Sequence, residues 1–344
     1  MTLHDEILEQ PAAARRAIAS SRDQLAALAA RYRAKPWRSV VIAARGTSDH
    51  AAIYGQYLLG VRNGLSVGLA TPSVVSIYGA EPDVSDALVI GISQSGASPD
   101  IVAVIASAAR QGAATLAITN DRASPLAATA DHVFDLAAGP ERAIAATKTY
   151  TTSLLAIARL SLALDPDPVA DAAIDAVPDA IESALGLEAR VEEVIAGLGP
   201  VDRCVIVGRG FEYATARETA LKLKELAQVF ADPYSSADFR HGPIALVQPG
   251  IPAIVIAPMG APAASMADLV TDLTGRGVDT VVLSDLDATL ELGRWPVRLP
   301  GGVAEWLRPV VSIIPGQLLA YHVTVARGLD PEAPRSLTKV TRTL

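Results

Sequence analysis

Three apolar, strand-like runs in the first half of the chain return in the same order in the second half, at a nearly constant interval. VVIAARG at Val40–Gly46 is answered by CVIVGRG at Cys204–Gly210, 164 residues on. ALVIGISQS from Ala87 is answered by PAIVIAPMG from Pro252, and TLAITNDR from Thr115 by TVVLSDLD from Thr280, each 165 residues on. A fixed order repeated at a fixed interval marks an internal duplication, so the chain is expected to fold as two similar units. Its length agrees: 344 residues, half of them hydrophobic, can bury the cores of about two domains of roughly 150 residues.

The repeated runs are continuously apolar and β-branched rather than alternating, and helix-like sequence separates them. That pattern predicts an α/β fold with a parallel sheet covered on both faces in each unit. The predicted boundaries are a helical segment over 1–35, a first α/β domain over 36–165, a helical linker over 166–199, a second α/β domain over 200–328 and a tail over 329–344. The runs Ile251–Val270 and Val310–Arg327 are interrupted by proline and glycine and read as core elements, not membrane spans.

The units differ at their strand ends. In the first, Arg45-Gly46-Thr47-Ser48 and Ser93-Gln94-Ser95-Gly96-Ala97-Ser98-Pro99 each join a strand to a helix. Hydroxyls with a glycine at a helix N-terminus suit an anion. The residues alone leave two readings open, a phosphate cradle and an ordinary serine-rich turn. Neither a Walker lysine nor a Gly-x-Gly-x-x-Gly is present, so nucleotide and dinucleotide sites lose their main support. The second unit instead has Arg209-Gly210-Phe211 and Pro258-Met259-Gly260 at the matching positions.

One stretch of the second unit, ETALKLKELAQVFADPYSSADFRHGP from Glu218 to Pro243, carries the groups that move protons. Leu223, Leu226, Ala227 and Phe230 fall at helical spacing, which predicts one apolar stripe with Glu218, Lys222 and Glu225 on the opposite face. Pro233, Tyr234, Ser235 and Ser236 then break the period, and a loop is expected to deliver Arg240, His241, Gly242 and Pro243. Carboxylate, ammonium and imidazole in one unit can do acid–base work. Taken alone, charges at this spacing more often form a salt-bridged solvent face.

Charge and composition narrow the partners. With 29 basic and 37 acidic residues the net charge is −8, and no basic block occurs, so nucleic acid is not an expected partner. The single cysteine, Cys204, lies in an apolar run and cannot form an intrachain disulfide. The N-terminus MTLHDEILEQP does not read as a signal peptide, so a cytoplasmic location is expected. His4, His50, His132, His241 and His322 show no ligand spacing, so no metal and no cofactor is assigned. A serine hydrolase is disfavoured, since no Gly-x-Ser-x-Gly elbow occurs.

Taken together, EILEQP, ARGTSDHAA, SQSGASPDI, AGPERAIAATKTYTT, GRGFEYATARETALKLKE, FRHGPIALV and PRSLTKVT occur in one order over nearly the whole chain. The sequence resembles the tandem sugar isomerase (SIS) family, which includes the isomerase half of glucosamine-6-phosphate synthase and stand-alone deaminases. The resemblance implies two doubly wound, flavodoxin-like domains flanked by helices. It implies that Ser93, Gln94, Ser95 and Ser98 hold a sugar phosphate, helped by Gly46, Thr47 and Ser48. It further implies that Glu225 moves a proton between C1 and C2 and that Lys222 stabilises the charge that develops. His241 would assist ring opening from the adjacent subunit of a homodimer, and Lys339 would contact the open-chain sugar.

Two departures from the synthases stand out. Ala146 replaces a serine before the Thr-Lys pair, and Met1-Thr2 lead directly into a helix, without the glutaminase domain and its N-terminal cysteine. Glutamine-dependent synthesis is therefore not expected of this chain. The expected activity is conversion of glucosamine 6-phosphate, or a close relative, to fructose 6-phosphate and ammonia. The alternatives are an isomerase or deglycase of another phosphosugar, such as galactosamine 6-phosphate or a fructosamine adduct, and a non-catalytic sugar-phosphate sensor.

Overall fold

In a computed structural model describing residues 2–21 and 23–339, the apolar runs become the inner strands of two parallel sheets. The first sheet contains β1 (Ser39–Ala43), β2 (Ser66–Leu69), β3 (Ala87–Ile92), β4 (Ala114–Thr119) and β5 (His132–Asp135) in the order β2-β1-β3-β4-β5. The second contains β6 (Arg203–Gly208), β7 (Phe230–Ser235), β8 (Ala253–Ile256), β9 (Thr280–Ser284) and β10 (Trp295–Arg298) in the order β10-β9-β8-β6-β7. Counted from the start of each sheet, both orders are 2-1-3-4-5, the doubly wound arrangement of flavodoxin-like folds. The duplication therefore extends from sequence to topology.

Every residue of β3, β4, β8 and β9 is buried, as continuous apolar runs covered on both faces require. The edge strands are another matter. β2, β7 and β10 are half exposed and carry no comparable apolar run. β7 overturns part of the expected helix-loop. The helix Glu212–Ala227 ends at Gln228, which takes the left-handed conformation, and Phe230–Ser235 then pairs with β6 in parallel register, Ile206 opposite Pro233. Proline lacks an N–H and is tolerated at a sheet edge, so Pro233 marks an edge strand rather than a loop. Phe230 leaves the predicted stripe and is 84% exposed. Ser236–Arg240 form a short helix, with His241 as its C-cap.

The chain divides into two compact units that are not continuous in sequence. One gathers described residues of 12–141, 148–175 and 338–339 around the first sheet; the other gathers 2–11, 142–147 and 176–337 around the second. In the first unit, Ala43, Val89 and Ala117 of the sheet pack with Ile101, Ile105 and Leu126. In the second, Val207, Val255 and Val282 pack with Phe239, Leu269 and Leu273. Cys204 lies in β6, and burial pushes its thiol up to about 12, so it stays protonated and inert.

Behind the second sheet, helix Glu212–Ala227 packs closely on helix Arg308–Ala326. The approach needs a glycine, since a Cβ at Gly316 would stand 2.4 Å from Thr219 Oγ1. Helix Arg308–Ala326 forms most of a 22-residue helical stretch apolar enough to cross a membrane by length and composition, yet 78% of its most apolar window is buried within the protein. The linker forms three helices, Pro168–Asp175, Val177–Leu185 and Glu188–Leu198. Pro178 sits in the first turn of the second of these, where its missing N–H costs nothing. Positions 340–344 of the predicted tail lie outside the described residues.

Candidate active site

Strand order in the first sheet reverses between β1 and β3, and it is at such a switch point that doubly wound sheets open a crevice. The hydroxyl loops leave the carboxyl ends of these two neighbours. After β1, Gly46 (φ 55°, ψ −127°) turns the chain so that Thr47 and Ser48 begin helix Thr47–Asn63. After β3, Ser93–Ser98 lead into helix Pro99–Arg110, whose N-cap Ser98 makes no side-chain capping bond. The structure thus brings Gly46, Thr47, Ser48, Ser93, Gln94, Ser95 and Ser98 to one end of one sheet.

The second loop is held from within and from below. Ser93 Oγ accepts the Gly96 N–H at 3.1 Å, and Ser95 Oγ accepts the Ala97 N–H at 3.3 Å. Gln94 O accepts the Asn120 N–H at 3.1 Å. Gly96 is required twice over: its φ is +59°, and a Cβ there would lie 2.1 Å from Ser124 Oγ. Two helix N-termini and several hydroxyls at one end of a sheet can hold a phosphate.

Arg45, which adjoins the cradle in sequence, donates from Nε to Asp100 Oδ2 at 2.8 Å; Asp100 is fully buried and Arg45 half exposed. Sequence reasoning assigned no role to either, because a lone Arg before a glycine carries no spacing signal. It also passed over Glu141. Lys339 Nζ lies 3.0 Å from Glu141 Oε2, and the same carboxylate accepts the Thr149 N–H at 3.1 Å and the Thr149 hydroxyl at 2.7 Å. A buried glutamate therefore ties the tail lysine to the start of helix Lys148–Leu164.

In the second unit, the charged face of helix Glu212–Ala227 is not a solvent face. Lys222 is 1% exposed, with Nζ 2.6 Å from Glu225 Oε2 and 3.4 Å from Glu218 Oε1. Glu218 is fully buried and the Glu225 side chain is 24% exposed. One buried ammonium thus serves two carboxylates of unequal access, and Glu225 is the one a solute can reach. His241 is exposed, and among the described residues its side chain makes no hydrogen bond.

The corresponding crevice of the second sheet has different chemistry. Arg209, Glu212, Met259, Glu305 and Arg308 line a cleft. Burial pushes the Glu212 carboxyl up to about 7, partly offset by hydrogen bonds from Thr215 and Ser312. The hydroxyl-rich loops of the first unit thus have Arg209-Gly210-Phe211 and Pro258-Met259-Gly260 as their counterparts in the second.

Residues 35–163 and 198–327 match the SIS domain family. The glutamine–fructose-6-phosphate aminotransferase (isomerizing) of Pyrococcus horikoshii is 34% identical over 345 residues, covering 97% of this chain and 56% of that protein. The chain spans about half the length of the curated relatives it matches. Among solved structures, a candidate phosphosugar isomerase from Silicibacter pomeroyi superposes with a TM-score of 0.87 at 34% identity, covering 96% of this chain and all of that one. The C-terminal domain of glucosamine-fructose-6-phosphate aminotransferase from Francisella tularensis superposes with a TM-score of 0.86 at 27% identity, covering 96% and 97%.

Proposed function

The chain belongs to the SIS domain family, and from that membership we propose that it is a phosphosugar aldose–ketose isomerase that deaminates glucosamine 6-phosphate to fructose 6-phosphate. The observation that carries the proposal is the Glu218–Lys222–Glu225 trio, which presents a reachable carboxylate against a buried ammonium. Isomerisation needs a base that can take a proton from one carbon and return it to the next, with positive charge close by as an enediolate-like intermediate forms. Glu225 is assigned the first task and Lys222 the second.

The sugar phosphate is assigned to the cradle of Gly46, Thr47, Ser48, Ser93, Gln94, Ser95 and Ser98. His241 assists ring opening and Lys339 contacts the open-chain sugar. Glu225 removes the C2 proton of the open-chain amino aldose and delivers it to C1, leaving a ketose imine at C2. Water adds to that imine and ammonia leaves, so glucosamine 6-phosphate and water become fructose 6-phosphate and ammonia. The amino sugar is supported by the relatives' own reaction, whose name joins fructose 6-phosphate to amino transfer. The same base serves a plain isomerase, so the products decide between the two.

Incubation with glucosamine 6-phosphate, galactosamine 6-phosphate, a fructosamine 6-phosphate and glucose 6-phosphate, following ketose and ammonia separately, tests the assignment. Equal amounts of both products from glucosamine 6-phosphate are expected. Ketose without ammonia would overturn deamination, and no turnover of any of the four would favour a sugar-phosphate sensor.

The exposed His241 side chain, without a partner among the described residues, supports its completing the site of a second copy in a homodimer. Mixing inactive Glu225→Gln chains with inactive His241→Ala chains under subunit exchange is expected to restore activity. No recovery would count against a shared site.

A further inference from the structure

His4, Glu188 and His322 are far apart in sequence, which is why histidine spacing gave no metal signal, yet they meet within the second unit. They stand on three helices, Leu3–Leu8, Glu188–Leu198 and Arg308–Ala326. His4 Nε2 lies 2.6 Å and His322 Nε2 2.7 Å from the same oxygen, Glu188 Oε1. On its other side, His322 Nδ1 lies 3.3 Å from Glu192 Oε1. The cluster is partly sheltered, with side-chain exposures of 27% for His4, 27% for Glu188 and 15% for His322.

These contacts place a demand on His322. A neutral imidazole has one N–H and one bare nitrogen, and here both nitrogens face carboxylate oxygens, which only accept. One side of the ring would then set a lone pair against a carboxylate. The conflict is removed by a proton on both nitrogens or by a cation at Nε2. In the second case Nδ1 keeps its proton on the side of Glu192, whose carboxylate lies at ion-pairing distance and adds negative charge behind a metal-bound histidine. His4 Nε2 and a Glu188 oxygen then complete an N2O donor set.

We propose that His4, Glu188 and His322 bind one divalent transition-metal ion of the Zn²⁺ class. The residue types suit such an ion, since two imidazoles and one carboxylate are a common zinc set, with water taking the fourth position. The distances allow it with a small adjustment. The donor atoms lie within 4.8 Å of one another, and around a tetrahedral ion they would be about 3.3 Å apart, so the two hydrogen-bonded contacts open by roughly 0.6–0.7 Å. The charge favours a dication: Glu188 and Glu192 face His322, and Glu332 and Asp5 add to the negative field around Tyr321, whose ring stacks on His4 with centroids 4.8 Å apart. Bound there, the ion clips the first helix of the chain to the long helix Arg308–Ala326. The site uses none of the residues assigned to the sugar.

The test is titration of the untagged full chain with Zn²⁺ alone, read by calorimetry and by melting temperature, with His4→Gln, His322→Gln and His132→Gln as variants. One equivalent per chain is expected, with a melting temperature that rises on saturation. His322→Gln and His4→Gln should each weaken binding at least tenfold, and His132→Gln should leave it unchanged. Circular dichroism and metal-free melting of each variant separate loss of the site from loss of the fold. If His322→Gln does not fold, His4→Gln alone carries the comparison, since His4 stands on the short helix Leu3–Leu8. The absence of saturable binding, or equal affinity in the wild type and the His4 variant, overturns the site and leaves a proton-bridged cluster.

Discussion

Turnover of glucosamine 6-phosphate is expected to fall by about 10²–10⁴-fold in Glu225→Gln, with the melting temperature almost unchanged. Glutamine keeps the size of the side chain and an oxygen that can accept from Lys222 Nζ, now 2.6 Å away. It cannot take a proton from carbon. Because the Glu225 side chain is 24% exposed and Lys222 is its one partner among the described residues, the exchange strands no buried charge in the way a change at Glu218 would. Steady-state kinetics at saturating substrate, beside a melting curve, is the measurement. A variant turning over within threefold of the wild type would remove Glu225 from the chemistry and leave the trio a structural ion cluster.

A second large effect is expected at Lys222. Lys222→Met removes the ammonium beside fully buried Glu218 and should cost about 3–5 kcal/mol of stability, the range for breaking a buried ion pair from one side. It should also abolish turnover, because Glu225 loses the charge that steadies it. The two consequences can be separated. In the double variant Lys222→Met, Glu218→Leu, the buried carboxylate is gone as well, so denaturant unfolding should recover most of the loss while turnover stays absent. Recovery of turnover along with stability would mean that Lys222 acts on the fold alone. A single variant within about 1 kcal/mol of wild type would mean that Glu218 draws its compensation from elsewhere.

The inner strands were legible because burial on both faces leaves a continuous apolar run, and the run alone predicts it. β1, β3, β4, β6, β8 and β9 stand where those runs stand. Three of the four edge strands, β2, β7 and β10, were not legible, since each buries little and carries no apolar run. At β7 the helical spacing of Phe230 with Leu223 and Leu226 pointed the wrong way. One residue in register with a stripe does not show that the helix reaches it, and Gln228 ends the helix first.

For the candidate site, the hydroxyl loops could be placed at strand ends because glycine, serine and proline act locally on the backbone. Glu141 and Asp100 could not be found that way: each has a partner from a distant part of the chain, and a single acid gives no sign of what it will meet. The same holds for His4, Glu188 and His322.

By itself, then, the sequence determined the number of units, the inner strands of each sheet and which unit carries the hydroxyl-rich loops. Those follow from the order and apolarity of segments. Whether the Glu218–Lys222–Glu225 face was a solvated surface or an ion trio with two buried members was decided by tertiary structure alone. Spacing along a helix sets which side chains share a face. Only the packing around that face sets whether water reaches it, and with it the strength of every charge it carries.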